Sequence, residues 1–177
     1  MERACEGDLD AFREVVEEHS ATIFRVAYRL TGSQQHAEDV VQETFLKAYR
    51  NLRRFDGRAQ AGTWLYRIAV NCALDLLRRL RRQDRAWTSW DAPPPADFPA
   101  AEPGPERLAR SAEVAAAFRR ALPGLSALER AAFLLRHSEG RSIAEISRLL
   151  GVGESASKQA IFRAVRKLRG RLAPLLD

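Results

Sequence analysis

Cysteine is scarce in this 177-residue chain: Cys5 and Cys72 lie far apart in no CxxC pair, which excludes a disulfide framework and a cysteine zinc site and leaves two plain thiols. Histidine is nearly as rare. His19, His36 and His137 fall in different segments, and His36 beside Glu38, Asp39 and Glu43 matches no metal-ligand spacing. A Gly-rich phosphate loop and a nucleophile elbow are both missing, so the sequence reads as a non-enzyme with no cofactor. Apolar runs stay below the roughly 18 residues of a membrane helix, and the opening MERACEGDLD lacks the pattern of a secretory leader. A cytoplasmic protein without membrane insertion is expected. Nor does any segment alternate apolar and polar residues, which removes the strand signature and predicts an all-α fold.

Acidic side chains are missing from one stretch in particular. Lys158 to Arg171 reads KQAIFRAVRKLRGR, with six basic residues and no acidic one, the footprint of a helix laid in a DNA groove. The segment before it, Ser142 to Ser155, sets Ile146, Leu150 and Val152 around Gly151. A tight turn between crossed helices needs a residue tolerant of positive φ at that point, so a helix-turn-helix is the simplest reading. The net charge of +6 is unevenly spread. Residues 1–85 carry 15 Lys/Arg against 13 Asp/Glu, residues 86–112 carry 2 against 4, and residues 113–177 carry 12 against 6. A second basic knot gathers at Arg78, Arg79, Arg81, Arg82 and Arg85, whereas the first 43 residues hold ten acidic and four basic groups. Two basic patches and one acidic surface imply more than one kind of partner.

Proline concentrates between Ala86 and Pro105, AWTSWDAPPPADFPAAEPGP, where helical period is lost. Two small helical domains, 1–85 and 113–177, joined by a flexible Pro-rich linker at 86–112, are therefore predicted. In the first, Asp10 to Leu30 keeps the helical period and stops at Thr31-Gly32. Ser33 caps a second helix that ends at Asp56-Gly57, and Thr63 caps a third running from Trp64 to about Arg82. In the second, the period holds from Glu113 to Leu122 and breaks at Pro123-Gly124. Ser126 with Glu129, and Ser142 with Glu145, then have the spacing of capping boxes.

The second helix carries a core stripe of Val40, Val41, Phe45, Leu46, Tyr49 and Leu52, opposite a polar face of Gln42, Glu43, Lys47, Arg50 and Arg53. On its own such a face is a solvated surface as readily as a docking site. The third helix buries Leu65, Ile68, Ala69, Cys72, Leu76 and Leu80 and turns Arg67, Asn71, Asp75, Arg78 and Arg82 outward. Arginines suit phosphates, an asparagine amide reads or holds a base, and Trp64 offers a stacking surface or, equally, a core aromatic.

AEDVVQETFLKAYRNLRRFDG and TWLYRIAVNCALDLLRR, then a Pro-rich linker, then LSALERAAFLLRHSEGRSIAEISRLLGV, together resemble bacterial sigma factors of the extracytoplasmic-function group, in the sigma-70 family. The likeness covers about 10–82 and 121–172 in order and spacing. It implies a factor that directs RNA polymerase to specific promoters and assists their melting, in a stress or signal response held by an anti-sigma partner. Asp39, Gln42, Glu43 and Lys47 would dock on the clamp coiled coil of the polymerase core, which the beta and beta-prime subunits form. The loop Gly57 to Gly62 and the following helix would capture an extruded base of the minus ten element, with Arg58, Gln60, Ala61 and Trp64 at the pocket, Asn71 and Asp75 beside it, and Arg78 and Arg79 on the backbone. Ser155, Lys158, Gln159, Phe162, Arg163 and Arg166 would lie on or near the groove of the minus thirty-five element.

The chain departs from that pattern twice. Ala61 and Gly62 stand where relatives often carry a bulky residue before the Thr-Trp pair, which implies a pocket for a different base or a weaker grip. Ala156 and Ser157 stand where Thr and Val are usual, which implies a lost phosphate contact and a looser first turn of the recognition helix. A rival reading is a dimeric helix-turn-helix regulator of a palindromic operator, which would bind duplex DNA tightly by itself.

Overall fold

The computed structural model describes residues 1–55, 60–82, 113 and 115–176, which fall into two compact units dividing between Leu80 and Arg81. All regular structure among these residues is helical. The linker segment 86–112 and Arg58, with its neighbours 56–59, lie outside them.

The N-terminal unit contains α1 (Glu2–Cys5), α2 (Leu9–Thr31), α3 (Gln34–Arg50), a 3-10 turn at Leu52–Arg54 and α4 (Ala61–Arg82). Asp8 starts α2 by accepting hydrogen bonds from the backbone N–H groups of Asp10 and Ala11. Those bonds, with the Arg3 guanidinium 2.6 Å away, hold its carboxyl below the usual carboxylate range. Gly32 closes the helix at φ 72°, a left-handed conformation that suits glycine, and its N–H reaches the Tyr28 carbonyl. Ser33 caps α3.

Two boundaries differ from the sequence reading. α3 ends at Arg50, not at Asp56-Gly57, because Asn51 turns its side chain back and donates to the Lys47 carbonyl at 2.8 Å. α4 begins at Ala61, since the Trp64 N–H already bonds the Gln60 carbonyl at 3.1 Å. Thr63 is thus inside the first turn and is not its cap.

The core of this unit sets Ile23, Val26, Ala27 and Leu30 of α2 against Ala37, Val40, Phe45 and Ala48 of α3, with Leu65, Ala69, Val70, Ala73, Leu74 and Leu77 from α4. Thr44 is fully buried and satisfies its hydroxyl by donating to the Val40 carbonyl at 2.6 Å. Leu46 and Tyr49 do not join this stripe: they are 50% and 49% exposed. The buried face of α3 is already filled, and Leu46 falls on the opposite side with Asp39, Gln42 and Glu43.

The C-terminal unit contains α5 (residues 115–121), a 3-10 turn at Leu122–Gly124, α6 (Ala127–His137), α7 (Ile143–Leu150) and α8 (Glu154–Leu176). Both capping boxes form: Ser126 and Glu129 at α6, Ser142 and Glu145 at α7. Gly151 ends α7 at φ 64°, the turn the helix-turn-helix requires. Ala121, Leu122, Leu125, Ala164 and Leu168 make a cluster onto which Phe118 and Phe133 pack. Arg130 lies wholly inside, where burial pulls its guanidinium down to about 9.

Gly124 leaves room for a neighbouring side chain. Arg171 reaches back from α8 and donates to the Ala121 carbonyl at 3.0 Å, at the C-terminal end of α5 where carbonyls lack helical partners and a cation is favoured. A Cβ at Gly124 would overlap that guanidinium. Gly124→Ala is expected to lower stability by about 1 kcal/mol, and Arg171→Ala by a similar amount. In thermal melts the double variant should lose little beyond either single one.

Candidate nucleic-acid and docking surfaces

In α8 the residues Ser157, Ala160, Ala164 and Leu168 are buried at 0, 0, 0 and 4% exposure. This stripe fixes which way the helix faces, and Ser155, Lys158, Gln159, Phe162, Arg163 and Arg166 all come out exposed on the other side. Phe162, 68% exposed, is the most open large apolar side chain among the described residues. Two of the six basic residues read from the sequence as a groove footprint are hydrogen-bonded within the protein, and two more, Arg163 and Lys158, lie 3.9 Å from Glu129 and Glu154. Lys167 Nζ sits 2.7 Å from Glu129 Oε2, and Arg171 holds the Ala121 carbonyl. Periodicity could not reveal this, because both partners lie far away along the chain. Ser157 differs too: it is seated rather than loose, with its hydroxyl 3.0 Å from that of Ser147.

Glu129 joins α6 to α8. Burial raises its carboxyl, but Lys167 and the Ser126 N–H outweigh that and hold it below its ordinary 4.5. A carboxyl depressed by folding stabilises fully above its unfolded pKa, and the contribution disappears as pH falls through the lower folded value. The unit should therefore lose stability as pH falls below the ordinary carboxylate value of 4.5. Glu129→Gln should flatten that dependence while costing about 1 kcal/mol at neutral pH, read from denaturant unfolding at a series of pH values.

On α4, Trp64, Arg67, Asn71, Asp75 and Arg78 share one face at helical spacing. Trp64 is half-buried and packs tilted on Phe55, ring centroids 5.2 Å apart, so it is neither a core residue nor a free platform. Gln60 is exposed and Ala61 half-buried just before it. Asn71 Nδ2 donates to the Arg67 carbonyl at 2.8 Å, and Arg78 pairs with Asp75 at 3.3 Å. Arg79 is exposed alongside. One neighbour was invisible to sequence reasoning: the His19 ring of α2 lies so that a Cβ on Gly62 would meet its Cε1 at 3.3 Å. No periodicity links residue 19 to residue 62.

On α3, Asp39 and Gln42 are exposed and Glu43 lies 3.5 Å from Lys47. Burial works against the Lys47 ammonium, but the neighbouring Cys72, Glu43 and Asp75 outweigh it and raise its pKa. Burial pushes the Cys72 thiol up, so this cysteine is a packed thiol and not a reactive one. Beside this face a shallow groove of about 500 Å³ is lined by Ala21, Phe24 and Val41, with Arg25, Glu38 and Gln42 at its rim. Exposed apolar groups interleaved with charge are the pattern of a docking surface.

Two family models match the chain, sigma-70 region 2 over residues 15–83 and sigma-70 region 4 over residues 115–168. The ECF RNA polymerase sigma factor SigE of Mycolicibacterium smegmatis is 35% identical over 93% of this chain, which spans 63% of that relative's length. SigM of Mycobacterium tuberculosis, also an ECF RNA polymerase sigma factor, is 35% identical over 96% of this chain and 79% of its own. Among solved structures, CnrH in complex with the cytosolic domain of CnrY is similar with a TM-score of 0.60 and 28% identity, covering 97% of this chain and 94% of CnrH. With a helix-turn-helix unit behind a region-2 unit, and relatives matching along nearly the whole chain, the protein belongs to the extracytoplasmic-function RNA polymerase sigma factors, which are transcription initiation factors and not enzymes.

Proposed function

We propose that residues 1–85 hold core polymerase and trap the minus ten element, that residues 113–177 read the minus thirty-five element, and that residues 86–112 tether the two. The observation that supports this reading is the outward face of α8, where Lys158, Gln159, Phe162, Arg163 and Arg166 are all exposed, with Lys158 and Arg163 only loosely paired, 3.9 Å from Glu154 and Glu129. Lysine and arginine meet phosphate, and Gln159 is of a type that hydrogen-bonds a base edge. Ser155 adds a hydroxyl at the start of the helix, where N–H groups favour a phosphate.

In the N-terminal unit the polymerase core, beta and beta-prime, takes the α3 face of Asp39, Gln42, Glu43 and Lys47, with Leu46 and Tyr49 as its apolar anchors. Melting then works by trapping. Opening a duplex costs about 1.4 kcal/mol per stacked step, and a base leaves the stack only if a binding site rewards it. Arg58, Gln60, Ala61 and Trp64 form that site, Asn71 and Asp75 flank it, and Arg78 and Arg79 hold the displaced strand. In free protein Asn71 is tied to its own helix, so base capture exchanges that bond for one to the nucleotide.

The protein acts in the cytoplasm, and no described helix is long and apolar enough to cross a membrane. An anti-sigma protein covers the Leu46 and Tyr49 surface when polymerase is not bound, in a stress or signal response. Leu46 and Tyr49 are half exposed in the chain alone, and CnrH is held by a second protein in its complex. Leu46→Asp puts a charge in the centre of the docking face. It should weaken co-purification with core polymerase by at least about tenfold without changing helicity. Unaltered co-purification would refute the docking assignment.

A further inference from the structure

Two hydroxyls meet inside the helix-turn-helix, where apolar side chains would ordinarily pack. Ser157 in the first turn of α8 is 0% exposed and Ser147 in the middle of α7 is 8% exposed, with their oxygens 3.0 Å apart. The Ser147 proton is already committed, since that hydroxyl donates to the Ile143 carbonyl at 2.8 Å. The proton between the two oxygens therefore comes from Ser157, and the bonds form a chain from Ser157 to Ser147 to the backbone of α7. Around them Ile146, Leu150 and Ala160 are buried, so water does not compete for either hydroxyl.

A hydrogen bond is directional and falls off steeply with angle, whereas apolar contact tolerates sliding and rotation. Ser157 is also diametrically placed with respect to the outward face: Ser155, Gln159, Arg163 and Arg166 all lie on the far side of the helix from it. A rotation of α8 by about 20° would carry a side-chain tip about 8 Å from the axis through about 3 Å, enough to break a bidentate base contact.

We infer that the buried Ser147–Ser157 pair is a specificity-determining positioning device, which fixes the rotation of α8 and hence which bases its exposed face meets. The inference rests on α8 entering the groove of the upstream promoter element, as proposed above. Neither serine touches DNA; both act through the helix. With the bond removed, α8 remains packed by Ala160, Ala164 and Leu168 but is free to settle at a slightly different rotation.

The test uses the full chain bound to core RNA polymerase, transcribing a library of promoters randomised in the upstream element, with transcripts sequenced. Ser147→Ala with Ser157→Val replaces the pair by apolar groups. Ser157→Ala removes the bond with the least change in volume and is read alongside, in case the double variant folds poorly. Both are expected to keep transcription from the best promoter while discrimination against single-base changes falls by about fivefold, or the preferred base changes. Ser157→Thr, which keeps the hydroxyl, should retain the original preference. Leu135→Ala, in the core of the same unit on α6 rather than α8, is the control for mere destabilisation: its melting temperature should fall with the preference unchanged. Base preferences in both serine variants identical to the parent chain would overturn the inference. A parent chain with no preference anywhere in the library would refute the groove reading itself, and the inference with it.

Discussion

Deleting residues 91–105 is expected to abolish promoter-specific transcription while leaving the helicity and the melting of both units unchanged. The expectation follows from reach. The deletion leaves about 15 residues between Arg82 and Glu113, on the order of 50 Å even when fully extended. Promoter elements two helical turns apart are separated by roughly 70 Å. The complete segment 86–112, at about 3.1 Å per residue in an extended Pro-rich form, spans on the order of 80 Å and suffices. Its excess of acidic over basic residues also keeps it from competing for DNA. Replacing the deleted residues with a Gly/Ser stretch of equal length should restore much of the activity, because length and not side-chain identity sets the reach. Full activity of the shortened chain on promoters of unchanged spacing would contradict a simultaneous grip on both elements.

The second large effect is expected at Asn71. Asn71→Ala should reduce the yield of open complexes by about tenfold, through loss of one or two hydrogen bonds to an extruded base, while binding to core polymerase stays intact. The fold should tolerate the change. Asn71 is half-buried and, among the described residues, its amide bonds the Arg67 carbonyl of its own helix, a bond the helix does not depend on. Permanganate footprinting of unpaired thymines measures the opening, and co-purification measures core binding. If both fall together, Asn71 belongs to the docking surface; if neither falls, the base-capture assignment is wrong. A template with a premelted minus ten bubble should rescue the variant, since the cost that Asn71 offsets has then been removed.

What could be read from the sequence was mostly what is local. The caps at Ser33, Ser126 and Ser142 and the left-handed glycines at Gly32 and Gly151 depend on residues three or four positions away. The α-helical class followed from helical period on both sides of the Pro-rich segment and from the lack of any alternating one. The helix end at Arg50 was misplaced because Asn51 supplies an amide that closes the helix earlier than Asp56-Gly57 would, and the start of α4 because a threonine resembles a cap even inside the first turn. Leu46 and Tyr49 looked like core from hydrophobicity alone. Their exposure is legible only once a surface is allowed to be apolar for a partner.

Contacts between distant residues were out of reach. Lys167 and Arg171 belong by composition to the basic run of α8, yet their bonds to Glu129 and to the Ala121 carbonyl tie α8 to the rest of its unit. Ser157 illustrates the same limit from the other side. Substitution of an apolar residue by serine implies a weakened turn, until Ser147 is found ten residues earlier with a hydroxyl at bonding distance. The nearness of His19 to Gly62 joins positions 43 residues apart, which no local pattern links.

The most direct test of the whole account is transcription from matched templates by the purified chain with and without core RNA polymerase, alongside duplex binding by the chain alone. The account predicts promoter-specific transcripts only when both are present, and at most weak, salt-sensitive binding of the free chain to intact duplex. Tight, sequence-selective binding of a palindromic duplex by the chain unaided, with no specific transcript on adding core enzyme, would contradict it.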